Sequence, residues 1–274
     1  MKNKGAVFFD VDGTLIDWTK KIHVPTKATK KAIEKLKENG YLAILATGRP
    51  KNCIDEGILD LGLDGYILSN GAYAEIDNKV LFNEPLDNKE LKVLLNFLEE
   101  NNVVYMLEGQ EYNYVLDMKN NKILDLIREA NLNINNFKTE WDKDTVKVSK
   151  IIAVAYDEKS FDIVVDRFKK EGYAFMSNLS NGGLFEIYKA KYTKGYGVDQ
   201  LLNLLDIDKD NAYAFGDGEN DIEMFQSVKY GIAMGGYHKR LEPYAYDFTE
   251  DVENEGIEKA LIRLGIISDS LVEI

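Results

Sequence analysis

The chain has 274 residues, 45% of them apolar and 30% charged, with 34 Lys and Arg against 47 Asp and Glu for a formal net charge of −13. That balance is too apolar for a disordered chain, long enough for about two domains of ~150 residues each, and too acidic for sequence-independent nucleic-acid binding or docking on anionic lipid. A single cysteine, Cys53, excludes an internal disulfide and a Cys-based zinc site. The first apolar run is cut short by Asp10, no stretch approaches the ~18 residues of a membrane span, and the expectation is a cytoplasmic protein that partners neither nucleic acid nor membrane.

In chain order, the first element is Ala6-Val7-Phe8-Phe9, apolar without alternation, as in a strand covered on both faces of a parallel sheet. It stops at Asp10-Val11-Asp12-Gly13-Thr14. Carboxylates two apart at a strand end point to one side, and Gly13 permits a sharp turn. Such a pair is costly unless a cation sits there, although a plain acidic turn reads the same way. Pro25 and Thr26 open a helix with Ala28, Ala32, Ile33 and Leu36 on one face and Gly40 as its stop. A second run, Leu42–Ala46, ends in Thr47-Gly48-Arg49-Pro50, with a helix expected directly after it. A hydroxyl, a glycine amide and a helix N-terminus make an anion site, and equally an ordinary N-cap.

The middle of the chain has another character. Helical patterns at Leu86–Leu98 and Ile123–Ala130 are set among strand patterns at Val103–Leu107, Tyr112–Leu116, Val146–Tyr156, Tyr173–Met176 and Leu184–Tyr188, the first two strands forming a hairpin across Glu108-Gly109-Gln110-Glu111. This α+β pattern predicts an insertion at 84–189 within a core made of 1–83 and 190–274. Beyond it, Lys194 stands at the start of a helix carrying Val198, Leu201, Leu202 and Leu205. A cation there opposes the helix dipole unless an anion is bound, or it is simply an exposed lysine. A third apolar run, Ala212–Phe215, ends in Gly216-Asp217-Gly218-Glu219-Asn220-Asp221, and a last helix spans Gly256–Leu264. The acidic loop matches neither an EF-hand nor a dinucleotide fingerprint, no GxxxxGK[ST] P-loop occurs, and a solvated loop capping the next helix is its plain alternative.

Strand–helix alternation with right-handed crossovers predicts an α/β fold, a doubly wound parallel sheet. Ligands of such sheets bind outside the carboxyl ends of the strands, where three of these four features fall. Acids for a hard cation, a hydroxyl with a helix N-terminus, and a lysine together suit Mg²⁺ and a phosphate monoester.

At these residues the sequence resembles the haloacid dehalogenase-like (HAD) phosphohydrolase superfamily, in its Cof-type branch with a large α/β cap. The matching motifs, in family order, are Asp10-Val11-Asp12-Gly13-Thr14, Thr47-Gly48-Arg49, Lys194-Gly195 and Gly216-Asp217-Gly218-Glu219-Asn220-Asp221, and Ser69-Asn70-Gly71-Ala72 matches a further short motif of that branch. The resemblance implies a Rossmann-like core, with 84–189 as the cap that closes over the site and reads the leaving group. It implies a phosphoric monoester hydrolase acting on small phosphorylated metabolites, with Asp10 as nucleophile through an aspartyl-phosphate and Asp12 as general acid and base. Mg²⁺ would be held by Asp10, the Asp12 carbonyl, Asp217 and Asp221. Thr47, Gly48, Lys194 and Asn220 would hold the phosphoryl oxygens, and Arg49 would reach toward cap or substrate. A phosphomutase using the same intermediate and a non-catalytic sensor of a phosphorylated ligand stay open. One departure is Gly236-Tyr237-His238, where relatives carry an asparagine and a small residue.

Overall fold

The computed structural model describes residues 3–178 and 183–268, in two compact units. The strands are β1 (Gly5–Phe9), β2 (Tyr41–Ala46), β3 (Gly65–Leu68), β4 (Tyr73–Ile76), β5 (Lys79–Asn83), β6 (Val103–Glu108), β7 (Asn113–Val115), β8 (Phe137–Lys138), β9 (Lys150–Ala155), β10 (Tyr173–Asn178), β11 (Leu184–Lys189), β12 (Ala212–Gly216), β13 (Tyr230–Ala233) and β14 (Asp247–Phe248). The helices are α1 (Lys27–Glu38), α2 (Glu56–Leu59), α3 (Asn88–Glu100), α4 (Asn121–Glu129), α5 (Glu158–Lys170), α6 (Lys194–Leu205), α7 (Ile222–Gln226) and α8 (Gly256–Arg263).

The first unit comprises the chain up to Arg49, Ile54–Asn83 and the residues from Thr193 on. Its eight-stranded sheet runs β14-β13-β12-β1-β2-β3-β4-β5, parallel from β14 to β3. Val7 and Phe9 face one layer with Ile33 and Leu36 of α1 and Ile257 and Leu261 of α8. Ala6 and Phe8 face the other, with Val198, Leu201 and Leu202 of α6 and Met224 and Phe225 of α7. Both faces are covered, which is why these strands are written as unbroken apolar runs. Thr26 caps α1 by accepting from the Thr29 amide, and Gly40 reverses the chain into β2 at φ 87°.

Two features depart from a purely parallel reading. The sheet ends in an antiparallel hairpin, β4–β5, so it is mixed. The helix expected after Pro50 is a single 3₁₀ turn, Lys51–Cys53, followed by the four-residue α2. Pro50 suits the first position of a helix or of a 3₁₀ turn, so it opens the segment without fixing how far it runs.

The second unit comprises Glu84–Tyr192 together with Pro50–Cys53, so it runs past 189 and takes in a short piece that the sequence pattern leaves in the core. That piece is tied to the β6–β7 turn: the Asn52 amide donates to the Gln110 carbonyl (3.0 Å) and its side chain to the Gly109 carbonyl (2.7 Å). The six-stranded sheet, ordered β10-β11-β9-β6-β7-β8, is antiparallel except for β7–β8. One face packs Leu91, Leu94, Leu95 and Leu98 of α3 and Phe161, Val164 and Phe168 of α5. The other packs Ile123 and Ile127 of α4. Helix α5 went unassigned in the sequence, although Phe161, Val164, Val165 and Phe168 have helical spacing and Asp157 caps it. Tyr105 is buried, and Tyr114 and Trp141 meet edge to face against this unit's core.

Candidate active site

Strands β1 and β12 are parallel neighbours in register Phe9↔Phe215, their rings stacked 5.4 Å apart. The Asp10 amide donates to the Phe215 carbonyl (3.0 Å), which sets the Asp10 turn beside the Gly216–Asp221 loop. Gly13 has φ 82°, and a Cβ there would overlap the Asp217 carboxylate, so only glycine lets these two turns meet. Gly216 is under the same demand from Asp221.

Helix α6 delivers Lys194 to the same point. Its ammonium donates to Asp10 Oδ1 (2.6 Å) and Asp221 Oδ1 (2.7 Å), and the residue is 1% exposed, so the exposed-lysine reading is corrected. Asp221 is wholly buried, and its Oδ2 accepts from the amides of Asp217 (3.0 Å) and Gly218 (2.9 Å). Carboxylate oxygens of Asp10, Asp217 and Asp221 all lie within 4.8 Å of one another.

The charges here do not balance. Burial first, then Asp221, pushes the Asp10 carboxyl up to about 8 against the pull of Lys194. Burial and Asp221 likewise raise Asp217 to about 7. Burial disfavours the Lys194 ammonium, but Asp10 and Asp221 outweigh it and hold the charge. One ammonium thus serves three clustered carboxylates, and no described residue hydrogen-bonds the Asp12 carbonyl beside them. Hard oxygen donors with surplus negative charge fit a hard divalent cation.

Asp12 faces elsewhere. Arg49 donates to both of its oxygens, from Nη2 (2.7 Å) and Nε (3.2 Å), and the Trp18 indole donates to Oδ1 (3.0 Å). Arg49 Nη1 also reaches Asp55 (2.8 Å). Burial weakens the guanidinium's hold on its proton, yet Asp12 and Asp55 more than compensate and raise its pKa. Thr47 is buried, its hydroxyl accepting from the Arg49 amide (3.3 Å). With only a 3₁₀ turn following, no helix dipole adds to this loop. Asn220 is exposed on the acidic loop, its side-chain oxygen lying against Gly218. Where an asparagine was missed, main chain intervenes: the His238 amide donates to the Asp217 carbonyl (2.7 Å), and the ring caps the turn that follows by accepting from the Arg240 amide (3.4 Å).

Asp10, Lys194, Asp217 and Asp221 are therefore brought together, with Thr47, Gly48 and the Arg49–Asp12 pair on neighbouring turns. Sequence reasoning missed Trp18 and Asp55. Neither sits in a motif, and an aromatic among polar loop residues at Trp18 was the one available signal.

A family model described as haloacid dehalogenase-like hydrolase matches residues 7–261. A Bacillus subtilis (strain 168) protein named "Putative phosphatase YkrA" is 27% identical over 277 residues, covering 95% of this chain and 98% of its own. A crystal structure of a hypothetical protein from Geobacillus kaustophilus HTA426 superposes with a TM-score of 0.86 at 26% identity, covering 96% of this chain and 99% of that one. The structure of BT4131, described as a HAD subclass IIB sugar phosphatase, gives a TM-score of 0.78 at 25% identity, covering 96% and 100%.

Proposed function

The chain belongs to the haloacid dehalogenase-like hydrolases and is a phosphatase, and from that premise we propose that it uses Mg²⁺ and an aspartyl-phosphate on Asp10 to hydrolyse small phosphorylated metabolites, sugar phosphates or phosphorylated coenzymes. The observation that carries this reading is the buried Asp10–Lys194–Asp221 cluster, with Asp217 beside it at the strand ends. The sugar-phosphate class takes its support from BT4131, described as a sugar phosphatase.

Asp10, the Asp12 carbonyl, Asp217 and Asp221 would hold Mg²⁺, which when bound would supply charge to offset repulsion between Asp10 and a phosphate dianion. An Asp10 oxygen attacks phosphorus in line, and the bond to the ester oxygen breaks. Asp12 gives its proton to that leaving oxygen and later takes one from the water that cleaves the aspartyl-phosphate. Arg49 and the Trp18 indole hold the Asp12 carboxylate oxygens, so Asp12 reaches the leaving oxygen once it is released from that clamp. Lys194, the Thr47 hydroxyl, the Gly48 amide and Asn220 hold the phosphoryl oxygens as charge builds on them.

The test is hydrolysis of p-nitrophenyl phosphate with and without Mg²⁺ by wild type and Asp10→Asn. Turnover is expected to need the metal and to vanish in the variant. Equal turnover by both proteins would remove Asp10 as nucleophile.

A further inference from the structure

The loop that follows the Asp10 turn, from Asp17 to Ile22, is folded by bonds of its own. Asp17 and Ile22 exchange both backbone amide-to-carbonyl hydrogen bonds (2.9 Å each). Asp17 Oδ1 accepts from the Thr19 amide (2.9 Å), the Thr19 hydroxyl (2.6 Å) and the Lys20 amide (3.2 Å). Ile16, wholly buried, and Ile22, half-buried, pack into the layer of α1 and α8, and Lys20 pairs with Glu253 (3.1 Å). The Trp18 ring shares in none of this and stays 38% exposed, yet it is held in place. Its indole donates to Asp12 Oδ1 (3.0 Å), and the His23 ring meets it at 4.4 Å between centroids, tilted by 52°. An exposed aromatic face fixed in this way has already given up the rotamer freedom that binding would otherwise cost.

We infer that the Trp18 ring is a specificity contact for the leaving alcohol, selecting phosphate esters whose substituent carries a closed ring, pyranose or aromatic, over those on an open chain. The inference rests on the functional reading above and adds the group that sorts its substrates. In that reading Asp12 gives its proton to the leaving oxygen, so the substituent on that oxygen emerges beside Asp12 and within reach of the indole bonded to it. The polar edge of the indole is taken up by Asp12, and what it offers a ligand is the apolar face. A six-membered ring lays one side against such a face and takes it out of water in a single contact. An open-chain polyol covers the same face only by giving up torsional freedom along its backbone.

The experiment compares wild type, Trp18→Phe and Trp18→Gln with Mg²⁺ present. Trp18→Phe keeps an aromatic ring and loses the N–H, whereas Trp18→Gln keeps an N–H donor and loses the ring. Substrates are hexopyranose phosphates, the matching open-chain hexitol phosphates esterified at the same primary hydroxyl, and p-nitrophenyl phosphate. Each variant is scored by its ratio of kcat/KM, ring ester to hexitol ester, relative to wild type, so intrinsic leaving-group reactivity cancels. The ratio is expected to fall about tenfold in Trp18→Gln, chiefly through KM on the ring esters, and to hold within about threefold in Trp18→Phe. A fall confined to the hexopyranoses names a sugar ring as the ligand, and one confined to the aryl ester an aromatic ring. A wild type that prefers no hexopyranose over its hexitol, or a ratio unchanged in Trp18→Gln, would overturn the inference. A kcat lowered on every substrate in Trp18→Phe alone, with the ratio unchanged in both variants, would make Trp18 only a positioning residue for Asp12. Retained aryl turnover in Asp10→Asn, run alongside, would instead sink the functional reading.

Discussion

Asp10 and Asp217 have folded-state pKa values near 8 and 7, above the ordinary 3.8 of an aspartate. A carboxyl raised in this way binds more protons folded than unfolded, so the metal-free protein loses stability as pH rises from about 4 through about 8. Below that window the protonated groups cost nothing; above it the clustered charges cost in full. Thermal melts in chelator between about pH 5 and 8 are expected to show a falling melting temperature, less steep in Asp10→Asn, and Mg²⁺ is expected to flatten the slope in wild type. A flat series in chelator would contradict the charge imbalance. The motif carboxylates were legible in sequence because each sits on a short turn of fixed chemistry. The partners of Asp12 were not, since Arg49 and Trp18 meet it only after the chain has folded back.

At the scale of elements, α6 matters more than its length suggests because its first residue is Lys194. Thr193 caps it by accepting from the Tyr196 amide (3.1 Å), as Asp157 caps α5 by accepting from the Ser160 amide (2.8 Å). Replacing either cap by alanine is expected to cost about 1 kcal/mol in urea unfolding. Only Thr193→Ala should also lower kcat, since it alone loosens the backbone that carries the ammonium to Asp10. Equal kinetics for the two variants would show that the packing of α6 fixes Lys194 without its cap. Helices α1 and α6 were readable from apolar spacing and stop signals. The segment after Pro50 was not, because a hydroxyl followed by glycine and proline opens a full helix and a single 3₁₀ turn alike.

At the scale of the molecule, the two units have separate cores. Leu95 is wholly buried in the inserted one, against α5 and the antiparallel sheet. Truncation to Leu95→Ala is expected to cost about 2–5 kcal/mol there. In calorimetry it should lower one transition while leaving the transition that Mg²⁺ raises in place, and a single transition shifted by both would show that the units unfold together. The insertion itself was legible, since antiparallel patterns interrupt continuous apolar runs. Its inclusion of Pro50–Cys53 was not, because that depends on hydrogen bonds to the distant β6–β7 turn.

By itself the sequence determined the parallel core, the order of the four motifs and the residue types of the site, because strand periodicity and turn chemistry act over a few neighbours. Tertiary structure alone decided which groups pair. Lys194 meets Asp10 across 184 positions of chain and Asp221 across 27, and Trp18 and Arg49 close on Asp12. It also decided that Ser69-Asn70-Gly71 is a buried, left-handed turn, since burial and backbone strain come from what packs around a residue and not from its neighbours in the chain.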